Sequence, residues 1–222
     1  MSKREQGIVD PDDKARALAL TNVSRETLAR LERFVDLLLE WQKRQNLIGS
    51  STIPNLWTRH VADSLQLIDC APAAAKIWVD FGSGAGFPGI AIACALADRP
   101  GAQVHLVESV GKKANFLREA VNVTGVPAQV HHIRAENFGA NYGDKVDVVT
   151  ARAVAPLKTL CEQAFPLIQR GAVGLFPKGQ DVDAELTEAT KYWTIEATKV
   201  SSKTSPEGCI VIVRALKRRK GA

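Results

Sequence analysis

The stretch from Trp78 to Ala91, WVDFGSGAGFPGIA, limits what this chain can fold into more than any other. Ile77, Trp78, Val79 and Phe81, interrupted only by Asp80, form a short apolar run bounded by turn residues, as a central parallel strand requires. Gly82, Gly84 and Gly86 then permit positive φ and let a ligand lie against bare backbone. Pro88 to Ala95 reads as the opening turns of a small-residue helix. Strand, glycine-rich turn and helix in that order build a nucleotide-type pocket. A dinucleotide fingerprint needs Gly-x-Gly-x-x-Gly, whereas here the third glycine comes one position early and Phe87 stands in its place, which weakens a nicotinamide reading.

Taken alone, such a turn is as often a plain strand-to-helix connection as a ligand cradle. Its neighbours favour the cradle. Asp80 lies at the tip of the first strand, Glu108 closes the strand Val104 to Val107, and Ala135-Glu136 follow a third strand from Gln129 to Ile133. All fall at carboxyl ends, where open α/β sheets bind ligands. Glu108 is placed to accept the two hydroxyls of a ribose. Glu136 has a plainer reading too, as a carboxylate at a helix start.

The chain has 222 residues, 45% hydrophobic and 24% charged, enough for one α/β domain with an appendage. No apolar run approaches the roughly 18 residues of a membrane span, and the polar start MSKREQ lacks the apolar segment of a signal peptide, so a cytoplasmic location is expected. Cys70, Cys94, Cys161 and Cys209 are too dispersed for a zinc knuckle or a CxxC redox pair, so buried, reduced thiols and no metal are expected. A net charge of +5 favours a polyanionic partner.

Met1 to Val23 is polar and offers only a short helix from Lys14 to Leu20, so a loosely tied start is expected. Ser24 is a good N-cap for an amphipathic helix ending near Asn46, with Leu28, Leu31, Val35, Leu38 and Trp41 inward. Pro54 at a first helical position starts a second helix carrying Trp57, Arg59, His60 and Asp63; His60 reads more readily as a hydrogen-bonded structural histidine than as a base. Gly111 to Thr124 is a helix, Val146 to Thr150 a fourth strand, and Arg152 follows it, pointed at the pocket. A helix opening at Pro156, a strand Val173 to Phe176 with Lys178 just beyond, a polar helix Asp181 to Trp193 and a final strand pair complete the pattern. The chain closes on the basic run Lys217 to Lys220. These elements divide into an N-terminal helical extension, residues 1–72, and an α/β unit, residues 73–222.

Five parallel-type strands with intervening helices and a closing strand pair are similar to the class I, Rossmann-like, S-adenosylmethionine-dependent methyltransferase fold. The details narrow it. Asn46-Leu47, Trp57, Arg59-His60, Asp63-Ser64-Leu65, the run Asp80 to Gly89, Glu108-Ser109 with Lys112-Lys113, Arg134-Ala135-Glu136 and Ala151-Arg152-Ala153 together resemble the bacterial 16S ribosomal RNA guanine-N7 methyltransferase family, RsmG, formerly glucose-inhibited division protein B. The resemblance runs from about residue 28 onward. It implies S-adenosylmethionine as cofactor, held at Gly82 and Phe87, at Ala135 and Glu136, and at Arg152. Gly84 and Gly86 belong to the same turn, and Glu108 is the ribose partner by analogy of fold. Phe87 departs from the aliphatic residue often found before Pro-Gly.

The resemblance further implies methyl transfer to N7 of a guanine in 16S ribosomal RNA or the small ribosomal subunit; a monomer is expected. N7 carries a free lone pair, so no base is needed, and Arg152, Lys178 and His60 are candidates only for orienting the guanine. Phe87 or Trp57 could stack on an extruded base. Two other readings stay open: a small-molecule methyltransferase of the same fold, and a noncatalytic ribosome assembly factor that keeps the pocket.

Overall fold

The computed structural model describes residues 8–219. Its centre is a seven-stranded sheet in the order β3-β2-β1-β4-β5-β7-β6. The strands are β1 (Ile77–Phe81), β2 (Gln103–Val107), β3 (Ala128–His131), β4 (Val148–Ala151), β5 (Val173–Lys178), β6 (Trp193–Ser201) and β7 (Cys209–Arg218). The first five are parallel, and β7 inserts antiparallel between β5 and β6. Chain order reverses between β1 and β4, the topological switch point that opens a crevice at the carboxyl ends.

Alternation along the strands assigns the two faces. Trp78, Val104, Leu106 and Val148 join a core with the helices α2 (Arg25–Gln42), α3 (Asp63–Cys70), α4 (Gly89–Leu96) and α5 (Gly111–Thr124). Val79, Phe81, Val149 and Phe176 join a second core with α6 (Ala135–Asn141), α7 (Leu157–Ile168) and α8 (Val182–Thr190). With both faces covered, β1 is apolar along almost its whole length, and Asp80 is the one charged residue it buries. The α/β class, the extra N-terminal helices and the order of strands agree with the expectation from the sequence.

The N-terminal region departs from it. The short helix α1 (Asp13–Ala19) is not loose, because the wholly buried Asp13 carboxylate accepts from the backbone of Trp57 at 2.7 Å and from the Thr58 hydroxyl at 2.5 Å. Asp10 N–H also donates to the Pro54 carbonyl at 2.9 Å. Pro54 does not start an α-helix: it lies inside a 3-10 segment, Ser50–Asn55, which passes into a π-helical turn, Trp57–Ala62, before α3 begins. Asp13 takes up amide groups at the head of that turn. Ser24 does cap α2, accepting from Thr27 N–H at 3.1 Å, but the helix stops at Gln42, whose side chain bonds the backbone of Leu47 and Ile48.

Two further boundaries differ. Trp193 opens β6 rather than closing the preceding helix, since it is buried against Phe165 at 4.9 Å between ring centres. Lys217 and Arg218 of the expected basic tail are strand residues, and the Arg218 guanidinium lies 5.0 Å over Trp193. The run's last member, Lys220, and the polar start MSKREQ lie outside the described residues.

Candidate functional site

A cavity of about 980 Å³ runs along the carboxyl edge of the sheet, from Glu108 beyond β2 to Cys209 at the start of β7. One end is backbone. Gly82 has φ 64° and packs so closely on Val154 that a Cβ would fall 2.5 Å from its Cγ2. Gly84, at φ 52°, has only the Gly82 carbonyl near its missing Cβ, so a side chain there would enter the open space. Its N–H donates to Glu108 Oε2 at 2.9 Å, while Oε1 accepts from Val110 N–H at 2.7 Å. Those two bonds hold a buried carboxylate against the glycine turn.

Asp80 supports the turn from beneath. It accepts from Gly89 N–H at 3.1 Å and from the Thr150 hydroxyl at 2.9 Å. Burial pushes its carboxyl up to about 7, with these donors pulling the other way. A Cβ at Gly89 would sit 2.7 Å from Asp80 Oδ2, so the glycine is what lets α4 approach that carboxylate.

Arg152, just past β4, is the polar hub of the middle. It donates to His60 Nδ1 at 2.8 Å, to the Arg59 carbonyl at 3.0 Å and to Asp63 Oδ2 at 3.2 Å, and its guanidinium lies 5.5 Å over the Phe87 ring. Because His60 Nδ1 accepts, its proton rests on Nε2, which faces the Thr52 hydroxyl at 2.8 Å. Burial, then the charges of Arg152 and Arg59, push His60 down to about 3, so its ring is neutral. It stacks on Phe87 at 5.1 Å.

Asp63 also ties in the hairpin loop between β6 and β7. Its Oδ1 accepts from the Thr204 hydroxyl at 2.7 Å and from Gln66 at 2.8 Å, and Gln66 in turn accepts from Lys203 N–H at 2.8 Å. Ser202, Thr204 and Ser205 form this wall of the cavity. At the end of β5, Lys178 pairs with Glu185 at 2.7 Å.

Of the residues singled out in the sequence, Gly82, Gly84, Phe87, Glu108, Arg152, Lys178 and His60 come together around this cavity. Gly86 does not line it: its φ of 85° and missing Cβ make room for Phe34 of α2, whose Cζ would be 2.8 Å away. Ala135 and Glu136 start α6 and do not line the cavity, and Glu136 accepts from Gln163 at 2.8 Å. Trp57 is buried beneath Lys14 and offers no face for stacking. Sequence reasoning missed Thr52, Glu185 and the hairpin loop as parts of the site. Thr52 meets His60 eight residues on, Glu185 meets Lys178 seven residues back, and the hairpin loop meets Asp63 from across the chain. None of these pairs lies within one helix or strand whose repeat would signal the contact. Among the described residues no cluster of His, Cys, Asp or Glu could hold a metal ion.

The sequence model of a family described as rRNA small subunit methyltransferase G matches residues 27–211. A ribosomal RNA small subunit methyltransferase G from Bradyrhizobium sp. strain BTAi1 is 60% identical over 206 residues, covering 93% of this chain and 92% of that protein. A protein of the same name from Nitrobacter hamburgensis is 55% identical over 217 residues, covering 98% of this chain and 83% of the relative. Among solved structures, a putative O-methyltransferase from Klebsiella pneumoniae superposes with a TM-score of 0.58 at 14% identity, over 93% of this chain and 97% of that one. A variant of MtNAS in complex with S-adenosylmethionine gives 0.52 at 14% identity, over 90% and 75%. At such identities these two structures speak for the fold alone. The family match and the long, close relatives support a firmer conclusion: the chain belongs to the rRNA small subunit methyltransferase G family.

Proposed function

We propose that this protein methylates N7 of a guanine in 16S ribosomal RNA, with S-adenosylmethionine as methyl donor. The cavity fits such a cofactor: Gly84 leaves open space where a side chain would stand, and the Glu108 carboxylate borders it. Gly82, Gly84, Phe87, Glu108 and Arg152 would hold the cofactor, with Ala135 and Glu136 carried over from the family resemblance and Gly86 fixing the turn from behind. When bound, the cofactor supplies an electrophilic methyl carbon.

The observation that carries the reading is the engagement of His60. Both its ring nitrogens are hydrogen-bonded and its ring is neutral, so the one histidine lining the cavity is a brace rather than a free base. Transfer to N7 needs none, because the attacking lone pair is already exposed on the base edge. The chain's part is to position the guanine in line and keep water out. None of the four cysteines follows a proline, as a cytosine-C5 nucleophile of the usual kind would, and there is no Pro-Pro-aromatic stretch of the adenine-N6 type.

The substrate is 16S ribosomal RNA, free or in the small subunit, bound by a cytoplasmic monomer; among the described residues no helix is long and apolar enough to cross a membrane. The test is incubation of unmodified small subunits and of free 16S RNA with protein and cofactor, followed by strand cleavage specific for N7-methylguanine. A methyl group on cytosine or adenine, or on a small molecule only, would refute the proposal.

A further inference from the structure

Lys178 and Glu185 face the cavity from the end of β5 and from α8, and the reading above gives their pairing no part. Lys178 Nζ donates to Glu185 Oε2 at 2.7 Å and to the Ala155 carbonyl at 2.8 Å, and the same Oε2 accepts from Leu157 N–H at 2.6 Å. Bracing the start of α7 therefore occupies one carboxylate oxygen and two ammonium hydrogens. Glu185 Oε1 and the third hydrogen of Lys178 have no partner among the described residues, on side chains that are 27% and 9% exposed. Both side chains border the open cavity, where a substrate can supply those partners.

Resting on the guanine reading above, we infer that Lys178 and Glu185 recognise the target base, Lys178 donating to O6 and Glu185 accepting from N1–H. The pair sets a donor beside an acceptor. Guanine presents the complement, an acceptor at O6 beside a donor at N1. Adenine presents the reverse, an amino donor beside a bare N1, and meets like against like at both positions. N7 adjoins O6 on the opposite side from N1, so a guanine gripped in this way keeps its lone pair clear. The location also fits: β5 is two strand positions from β1, about 10 Å at ordinary strand spacing, which leaves room for a cofactor over the glycine turn.

The contact strengthens as the reaction proceeds. Bond formation at N7 uses the lone pair of the base, the departing sulfur keeps the electrons of the broken carbon–sulfur bond, and the purine ring becomes cationic. A cationic ring makes N1–H a stronger donor. Glu185 thus binds the transition state more tightly than the ground state, which is the condition for raising the rate and not only the affinity.

The test uses small subunits carrying guanine, inosine, 2-aminopurine or adenine at the mapped target position, with wild-type protein and Glu185→Gln. Inosine keeps O6 and N1–H, whereas 2-aminopurine keeps N7 but lacks both. Wild type should methylate guanine and inosine within about tenfold of each other and 2-aminopurine about a hundredfold more slowly. Glu185→Gln, whose amide oxygen can still accept from Leu157 and Lys178, should keep its melting temperature. It should lose about a hundredfold in single-turnover rate on guanine and discriminate less than about threefold between guanine and 2-aminopurine. Without cofactor, wild type should bind the guanine subunit more tightly than the adenine one, and the variant should not. A wild type that treats 2-aminopurine like guanine, or a folded variant with undiminished discrimination, overturns the inference. If the variant fails to fold, the wild-type comparison of bases decides alone. Absence of N7 methylation on any guanine would instead overturn the parent reading.

Discussion

Arg152 donates to His60 Nδ1 across 2.8 Å, and this one bond makes the imidazole an acceptor on one side and a donor on the other. Under the proposed function, a ring so held takes no proton from substrate. Methyl transfer should therefore be level through the ordinary histidine range, and His60→Gln, which preserves an acceptor and a donor, should cost about tenfold or less in single-turnover rate. A loss of a thousandfold in the folded variant would contradict the assignment.

The same burial makes a prediction about acid. His60 falls from its ordinary 6.5 to about 3 in the folded protein, so below pH 6.5 the unfolded chain binds the proton first. Stability present above pH 6.5 is then lost progressively as pH falls toward about 3. Denaturation curves across that window should decline less steeply for His60→Gln than for wild type.

Asp63 joins Arg152 to the β6–β7 hairpin loop, with both partners of its ion pair 17% exposed. Asp63→Asn leaves the guanidinium without its counter-charge and should reduce stability by about 2 kcal/mol, discounted for partial exposure. Activity should fall further than stability alone explains, because Arg152 loses its orientation. Chemical denaturation with single-turnover assays on the folded fraction would separate the two effects.

Gly84→Val puts a branched side chain into the cavity at a φ of 52°, where β-branched residues are strained. Calorimetry should register no S-adenosylmethionine binding by the folded variant. Retained affinity would remove the glycine turn from the cofactor site.

Lys113 lines the cavity mouth and pairs with no carboxylate among the described residues. If RNA phosphates pass there, affinity for 16S RNA should drop steeply with added salt, and Lys113→Glu should both weaken binding and flatten that slope by about one unit or more. A salt-independent affinity would disprove the electrostatic account.

Much of this was legible before the structure. The central parallel strands were plain because they are buried on both faces and so are mostly apolar, with single polar residues such as Asp80 and Thr150 among them, and the turn at Gly82 and Gly84 carries its geometry in its residue types. What could not be read was set by distant partners. Asp13 looks like one acid in a polar leader, and only the amides of Trp57 and Thr58, more than forty residues on, make it a buried anchor. Glu185 resembles any charge on a solvated helix until Lys178 and Leu157 meet it. Gly86 shared a motif with two glycines that line the cavity, but spacing cannot tell which side of a loop a missing side chain serves.

The place of Phe34 has a consequence for inheritance. Its ring fills the space that any side chain at position 86 would claim, and it lies 5.0 Å from Phe87, the next residue of the turn. The loop that would cradle the cofactor is thus moulded by a helix expected to be an appendage. A chimera drawing residues 1–72 from one relative and the remainder from another would succeed only where residues 34, 86 and 87 travel together. Over generations these three positions would drift as a set, tying the history of the extension to that of the catalytic fold.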